Sequence, residues 1–315
     1  MLAMIGKRLA VGLVLLWVVA TVVFLALHMV PGDPARIILT GTGATPTEEA
    51  IQNLREQLGL HLPLWEQYTR FLGQLLTGSL GESLRSGTPV TELVGQRLPR
   101  TLQLVFATTL VSVLFGVLFG ALAGRRGGWI DRVLMVVTSF SVAIPAYVAA
   151  VVLVYFVGVQ MQWLPSGGYV PFSDDPVGHI QTLIMPTISL SLAFTAVVAR
   201  MTRTAVLSVG EQDWVRTGRS VGLKESRVFS RHVLRNSLTS VVTVSGLQMG
   251  ALLGGTVIVE RVFSWPGLSE LLINGVTTRD YPVVQGTVLV IAALFVLLNI
   301  VVDILYGFID PRGRD

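Results

Sequence analysis

The chain has 315 residues, of which 52% are hydrophobic and 13% are charged, and its formal net charge is +4. Soluble domains carry about 25% charged residues, so this composition indicates a protein of the lipid bilayer. The chain contains no cysteine, which excludes a disulfide framework, a thiolate metal site and a cysteine nucleophile. In such a protein the basic residues indicate topology rather than nucleic-acid binding.

Six stretches are long and apolar enough to cross the bilayer as helices, and none contains Asp, Glu, Lys or Arg. They are residues 9–29, 101–124, 133–159, 180–199, 236–259 and 281–302. Lys7 and Arg8 precede the first stretch as in a signal peptide, but its length and the missing A-x-A cleavage site favour a retained anchor. Pro145 and Pro186 each remove a backbone donor, which predicts bends in the third and fourth spans.

The basic residues divide unequally between the two sides of the membrane when alternate loops are assigned to one side. Fifteen of the 23 lysines and arginines lie on the side that holds both chain ends, and eight of these lie between Arg200 and Arg235. Positively charged loops stay in the cytoplasm. Both termini and the loop between the fourth and fifth spans are therefore predicted to be cytoplasmic.

The outer segment after the first span, residues 30–100, is too polar to cross the membrane and much longer than a usual connection, so it is expected to fold. Thr45-Pro46-Thr47-Glu48 offers an N-cap, a proline and an acid in the order that starts a helix. A second helix is predicted to begin near Pro63, and its apolar spacing suits a short amphipathic helix on the outer membrane surface. The segment is either a structural cap or a platform for an external partner.

The inner segment from Arg200 to Arg235 is longer and more charged than a connection between two helices requires. It predicts two helices around a glycine turn, because Gly222 allows the chain to reverse after the first helix. Trp214, Val215 and Val221 are expected to make apolar contacts. Beyond the turn, Val228, Phe229, His232 and Val233 are spaced as on one face of a helix. A short rigid helix should therefore project into the cytoplasm, unless the segment is merely a solvated basic stretch that fixes topology.

Residues 213–223 read Asp-Trp-Val-Arg-Thr-Gly-Arg-Ser-Val-Gly-Leu, and residues 231–236 read Arg-His-Val-Leu-Arg-Asn. This loop resembles the EAA loop of ABC importer permeases, in the variant of the dipeptide, oligopeptide and nickel permease family. Gly218 departs from the usual alanine, which lowers helix propensity by about 1 kcal/mol, and Arg235 replaces the proline of the general motif, as is normal in the peptide branch. Further similarities follow in family order: Pro31-Gly-Asp-Pro34, Gly78-Ser-Leu-Gly81, Leu98-Pro-Arg-Thr-Leu102, Trp163-Leu-Pro165, Gly254-Gly255, Val259-Glu-Arg-Val-Phe263, Pro266-Gly267, Arg279-Asp-Tyr-Pro282 and Asp310-Pro-Arg312.

The resemblance implies an all-α membrane protein with the type I ABC importer permease fold and six transmembrane helices. Its expected parts are an N-terminal transmembrane helix at 1–31, an extracytoplasmic helical subdomain at 32–100, and a core permease domain at 101–315 with a coupling loop at about 200–236. By the same resemblance, Asp213 to Leu223 form a coupling helix that docks in a groove of an ATP-binding subunit. The expected contact residues are Asp213, Trp214, Arg216, Thr217, Gly218, Gly222 and Leu223.

The resemblance also implies a permease subunit of an ATP-driven importer in the bacterial cytoplasmic (inner) membrane, with dipeptides or oligopeptides as the expected substrates. The expected partners are a second homologous permease subunit, two ATP-binding subunits, an extracytoplasmic solute-binding protein and membrane lipid. The chain itself is expected to be no enzyme and to hold no cofactor, since ATP and Mg would be bound by the ATP-binding subunits. Nickel and glutathione remain alternative substrates.

Two spans carry glycine at every fourth residue, which places the glycines on one helix face. They are Gly116, Gly120 and Gly124 in the second span and Gly246, Gly250 and Gly254 in the fifth. In lipid no hydrophobic effect drives helices together, so their association depends on close packing of the backbones. Small residues on one helix face permit that close approach. The stripes predict helix packing inside the chain, or else an interface with the second permease or surfaces that slide during transport.

Alternatives from other classes lack their expected sequence features. An ion-coupled secondary transporter predicts inverted repeats and charges near the bilayer centre, whereas Glu260 and Asp303 lie at helix ends. A membrane-embedded enzyme requires a nucleophile with a base or a metal cluster, and the four histidines are far apart in sequence. No G-x-x-x-x-G-K-[ST] motif is present, so ATP is expected to be handled by another subunit.

Overall fold

The structure is a computed structural model that describes residues 2–29, 34–40, 46–57 and 59–309. Across these residues the chain is nearly all helical, and the β-pairing found there is one isolated bridge between Glu82 and Pro89. The helices are α1 (Leu2–His28), α2 (Pro34–Thr40), α3 (Glu48–Gln57), α4 (Leu64–Leu76), α5 (Val90–Arg126), α6 (Gly128–Ala143), α7 (Ala146–Leu153), α8 (Pro176–Gly210), α9 (Asp213–Ser220), α10 (Glu225–Arg227), α11 (Arg235–Val262), α12 (Leu268–Thr278) and α13 (Tyr281–Ile309). π-Helical turns follow α7 at Val154–Gln160 and join α10 to α11 at Val228–Leu234.

Five helices in the described part of the chain are long and apolar enough to cross a membrane, and a sixth span results if α6 and the helix after it count as one. All six predicted stretches lie in these helices. The break in the third stretch is a 94° bend between Gly128–Ala143 and Ala146–Gln160. Ile144 is extended there, with ψ of 116°, because the ring of Pro145 disfavours a helical conformation in the residue before it. The bend predicted from Pro145 is confirmed, whereas α8 continues without a break through Pro186.

Two of the spanning helices, α5 and α8, extend far beyond their predicted stretches. α5 has 37 residues and α8 has 35, which at about 1.5 Å per residue makes each more than 50 Å long. The hydrocarbon core is only about 30 Å thick, so a part of each helix projects into water. The segment from Arg200 to Gly210, predicted as loop, is therefore the last part of α8.

One compact unit comprises residues 9–99 and 267–294. Two of the sequence motifs meet in it, since Ser83 donates a hydrogen bond to one carboxylate oxygen of Asp280 at 2.5 Å and the Leu84 N–H donates to the other at 3.1 Å. Its buried core residues are Val90, Val94, Leu268, Leu271 and Val283. The buried carboxylate of Asp280 thus fixes the turn after the Gly78–Gly81 motif.

The amphipathic helix predicted after Pro63 is confirmed as α4, which lies against α1 within this unit. The hydroxyls of Thr21 and Tyr68 are 2.6 Å apart, and the rings of Phe24 and Phe71 stack at 5.7 Å. The earlier helix, α3, begins at Glu48 and not at Pro46 as predicted. The Ala50 N–H donates to the Thr47 hydroxyl at 3.3 Å, so Thr47 caps α3. The predicted cap Thr45 and the motif positions 31–33 and 310–312 lie outside the described residues.

The second compact unit comprises residues 1–8, 100–266 and 295–315. It also brings two motifs together, because the Thr101 hydroxyl donates to the fully buried carboxylate of Glu260 at 2.8 Å. The indole N–H of Trp265, itself fully buried, donates to the carbonyl of Arg100 at 3.1 Å. Glu260 lies in the last turn of α11, as expected for an acid at a helix end. The predicted division of the chain at residues 31 and 100 stays a prediction.

Candidate functional site

The segment between α8 and α11 contains the predicted coupling helix, α9, which is followed by a Schellman turn. Gly222 has φ of +81°, its N–H donates to the Arg219 carbonyl at 3.0 Å, and the Leu223 N–H donates to the Gly218 carbonyl at 3.3 Å. These two bonds satisfy the last carbonyls of the helix and require a left-handed residue, a conformation that glycine adopts readily. The predicted reversal at Gly222 is confirmed, and the regular helix ends at Ser220.

One side chain anchors α9 to the membrane domain. Val215 is fully buried, and it clusters with Val206 at the end of α8 and with Val228 and Val233 before α11. Because these four valines come from α8, α9 and the π-helical turn before α11, α9 is packed against the projecting end of α8. The expected apolar contact of Val221 is wrong, since that side chain is 70% exposed beyond the end of the helix.

The outer face of α9 is exposed. Trp214 is 45% exposed, with its ring edge-on to His232 at 6.3 Å. The predicted contact residues that are exposed are Asp213, Trp214, Arg216, Thr217 and Gly222, and those that are half-buried are Gly218 and Leu223. Leu223 packs against the valine cluster. An exposed face with Trp and Arg above a buried anchor suits protein docking, because these two residues dominate binding energy at interfaces. Their contact roles stay predictions.

A bidentate ion pair closes the Schellman turn. The guanidinium of Arg219 donates to the two carboxylate oxygens of Glu225 at 3.1 Å each, across Gly222. Both side chains are about half exposed, so the pair contributes little to global stability. Its paired geometry nevertheless restricts the angle between α9 and α10, since a planar guanidinium fits a carboxylate in one orientation.

Two charged side chains make contacts beside this segment, one between α6 and α8 and one between α5 and Phe229. The guanidinium of Arg203, on α8, donates through Nη2 to Oδ2 of Asp131 at 2.6 Å and through Nε to Oδ1, and Asp131 lies in the first turn of α6. The guanidinium of Arg125, in the last turn of α5, lies 4.9 Å from the ring centre of Phe229. The segment is thus in contact with α8 through Val206 and with α5 through Phe229, and α6 is tied to α8 beside it.

The glycine stripe on α5 faces α8 at close range. A Cβ added at Gly116 would lie 2.6 Å from the Val198 side chain, and one added at Gly124 would lie 2.9 Å from Val206. A Cβ at Gly120 would overlap the carbonyl of Ala199. Only glycine therefore permits this separation of α5 and α8.

The stripe on α11 is less uniform. A Cβ added at Gly246 would overlap Val302, and one at Gly250 would lie 2.8 Å from the Phe295 ring. At Gly254 nothing lies within 4 Å, so contacts within the chain do not explain this glycine. A helix-packing role stays a prediction for all six glycines.

Sequence reasoning missed the charged contacts of this site. Asp131 carries a detectable signal, since it is the lone acid among Arg125, Arg126 and Arg132. The pair between Arg219 and Glu225 spans six residues and a chain reversal, so helical spacing does not reveal it. Among the residues that the structure describes, no group of three or more His, Asp or Glu could hold a metal ion.

Comparisons with known proteins match the chain over nearly its whole length. Residues 116–315 match the family described as Binding-protein-dependent transport system inner membrane component, and residues 1–105 match the N-terminal domain described for such systems. A Brucella abortus (strain 2308) protein named as a peptide transport system permease is 40% identical over 100% of this chain and 99% of its own. The glutathione transport system permease protein GsiC of Escherichia coli (strain K12) is 38% identical over 100% of this chain and 99% of its own.

Two solved structures share the fold. A chain of the inward-facing MetNI methionine ABC transporter matches with a TM-score of 0.57 at 17% identity, over 69% of this chain and 96% of that one. A chain of an amino acid ABC transporter with histidines matches with a TM-score of 0.52 at 20% identity, over 70% and 94%. The predicted ABC importer permease fold is therefore confirmed.

Proposed function

Because the chain belongs to the family of binding-protein-dependent transport system inner membrane components, we propose that it forms half of the translocation pathway of a peptide importer and is driven through α9 by an ATP-binding subunit. As a member of this family it is a multi-pass ABC permease and not itself an enzyme. In the proposed complex a second homologous permease completes the pathway, two ATP-binding subunits hydrolyse ATP with Mg, and an extracytoplasmic solute-binding protein delivers the substrate.

The observation that carries the proposal is the arrangement of α9. Its inner face is pinned by the fully buried Val215, while Trp214 and Arg216 are exposed on the remaining surface. A helix that packs against α8 on one face and is exposed on the other can receive a displacement from a docked subunit and pass it to the membrane helices. ATP binding then shifts the population between inward-facing and outward-facing states.

The proposed orientation places both termini and α9 in the cytoplasm. It rests on the excess of lysine and arginine on that side of the predicted topology. The segment that contains α3 and α4 is then extracytoplasmic, where it can meet the solute-binding protein.

Peptides are proposed as substrates from the relatives. The Brucella abortus relative is named for peptides, and the E. coli relative for glutathione, itself a tripeptide. Glutathione is therefore the second candidate. Competition between dipeptides, tripeptides and glutathione for the purified solute-binding protein distinguishes the two, because that protein selects the substrate.

The coupling role is tested by copurification of the ATP-binding subunits with a Trp214→Ala/Arg216→Glu variant. The variant should insert normally, lose the ATP-binding subunits and lose uptake. Trp163→Ala is the matched control, because Trp163 is 73% exposed but lies in the connection between the third and fourth spans. Retained association and uptake in the double variant would refute the role of α9, and uptake by the chain alone under an ion gradient would favour a secondary transporter.

A further inference from the structure

The ion pair between Asp131 and Arg203 stands out because it joins two membrane helices beside the coupling helix. The Asp131 carboxylate accepts two hydrogen bonds from the guanidinium of Arg203, one from Nη2 to Oδ2 at 2.6 Å and one from Nε to Oδ1. The side chain of Asp131 is only 21% exposed and that of Arg203 only 24%. A bidentate pair of this kind fixes both distance and orientation, which a lysine at the same place cannot do. The pair therefore holds the first turn of α6 in a defined position on α8.

The same end of α8 also holds α9. Arg203 and Val206 are three residues apart on α8, and Val206 packs against the buried Val215 of α9. One helical turn of α8 thus contacts α9 through the apolar side chain of Val206 and α6 through the charged side chain of Arg203. A displacement of α9 can therefore reach Arg203 through the packing of Val215 on the end of α8.

The helix on the other side of the pair, α6, ends at a sharp bend. α6 ends at Ala143, and the chain then bends by 94° at Pro145 before α7 begins. A break of this kind separates two rigid helices that can change their mutual angle, as hinges do in other conformational transitions. α6 is therefore attached to α8 at Asp131 and is separated from α7 by the break at its far end.

We propose that Asp131 and Arg203 are the positioning residues that carry the movement of α9 to the broken span formed by α6 and α7. The inference rests on the proposed function, in which α9 docks on an ATP-binding subunit, and it adds the route by which the docked subunit reaches the third span. The pair itself contacts neither ATP nor substrate. Its loss should uncouple ATP hydrolysis from uptake without releasing the ATP-binding subunits.

The test uses the complete transporter in proteoliposomes, with ATP hydrolysis and peptide uptake measured on the same preparation. In Asp131→Asn and Arg203→Lys, uptake per ATP hydrolysed should fall about 2- to 30-fold, the range found for residues that couple distant sites. The swapped variant Asp131→Arg/Arg203→Asp should recover a substantial part of the ratio. Glu66→Gln, which breaks the exposed Glu66–Arg70 pair of α4, should leave the ratio unchanged.

The outcomes separate this inference from the proposed function. An unchanged ratio in both single variants, or a swapped variant no better than the singles, overturns the role of the pair while leaving the proposed function intact. Failure of the wild-type chain to copurify with ATP-binding subunits overturns the proposed function instead. If Asp131→Asn does not fold, Arg203→Lys decides the matter, because it keeps the charge and removes only the paired geometry.

Discussion

Replacing Gly222 by alanine should loosen α9 through the backbone alone. Gly222 has φ of +81°, and an added Cβ would meet no atom within 4 Å. The change therefore introduces no clash, and its effect is the cost of the left-handed conformation for an L-residue, about 1–2 kcal/mol. Because the Schellman turn depends on this conformation, the destabilisation should be confined to α9 and the turn after it.

Gly218→Ala is the matched control, with the opposite sign expected. An added Cβ at Gly218 would lie 3.7 Å from Leu223 Cδ1, an ordinary van der Waals contact. Alanine is favoured over glycine inside a helix by about 1 kcal/mol. The two variants, four residues apart, should therefore differ by about 2–3 kcal/mol in the stability of α9.

Hydrogen exchange of the α9 amides in the purified permease measures this difference directly. Gly222→Ala should speed exchange by about 5- to 30-fold and Gly218→Ala should slow it by about fivefold, since every 1.4 kcal/mol is a factor of ten. Exchange in α13 should be unaffected by either change. If the two variants shift exchange in the same direction, or neither shifts it, the account of the turn is wrong.

Two further predictions concern packing and a buried acid. Gly116→Ala puts a methyl group 2.6 Å from Val198, so it should lower the free energy of unfolding by about 1–3 kcal/mol, whereas Gly254→Ala, whose added Cβ meets no atom within 4 Å, should raise it by up to about 1 kcal/mol through helix propensity, as at Gly218; thermal unfolding in detergent measures both, and effects of the same sign would contradict the packing argument. Asp280→Asn replaces one of the two acceptor oxygens by an NH2 donor, so either the Ser83 hydroxyl or the Leu84 N–H loses its acceptor and the free energy of unfolding should fall by about 1–3 kcal/mol in the same measurement; wild-type stability would show that the carboxylate does not hold this turn.

The sequence predicts the membrane helices well because apolar length is a local property. The six stretches correspond to helices, and the bend at Pro145 follows from a single residue. The lengths of α5 and α8 were not predictable in the same way. The polar residues after Ala199 resemble a loop sequence, but they continue α8 into water. Charged side chains are compatible there with a helix as well as with a loop, so polarity alone does not tell the two apart.

The coupling site is predicted only in part. Gly222 and Val215 are recognisable from turn chemistry and helical spacing. The charged partners are not, because Asp131 and Arg203 are 72 residues apart and meet only through the packing of α6 on α8. An apolar contact is expected for Val221 because its side chain is apolar. The side chain is exposed instead, because the Schellman turn directs it away from the valine cluster.

The most direct test of the central claim uses the absence of cysteine from the chain. Thr217→Cys places one thiol on the exposed face of α9, and Leu76→Cys places one on α4, where the side chain is 89% exposed. In the assembled transporter the first thiol should cross-link to an ATP-binding subunit and react with an impermeant maleimide only from the cytoplasmic side, whereas the second should not cross-link and should react only from the outer side. Labelling of Thr217→Cys from outside intact cells, or failure to cross-link in an actively transporting complex, would contradict the claim that α9 couples this permease to ATP hydrolysis.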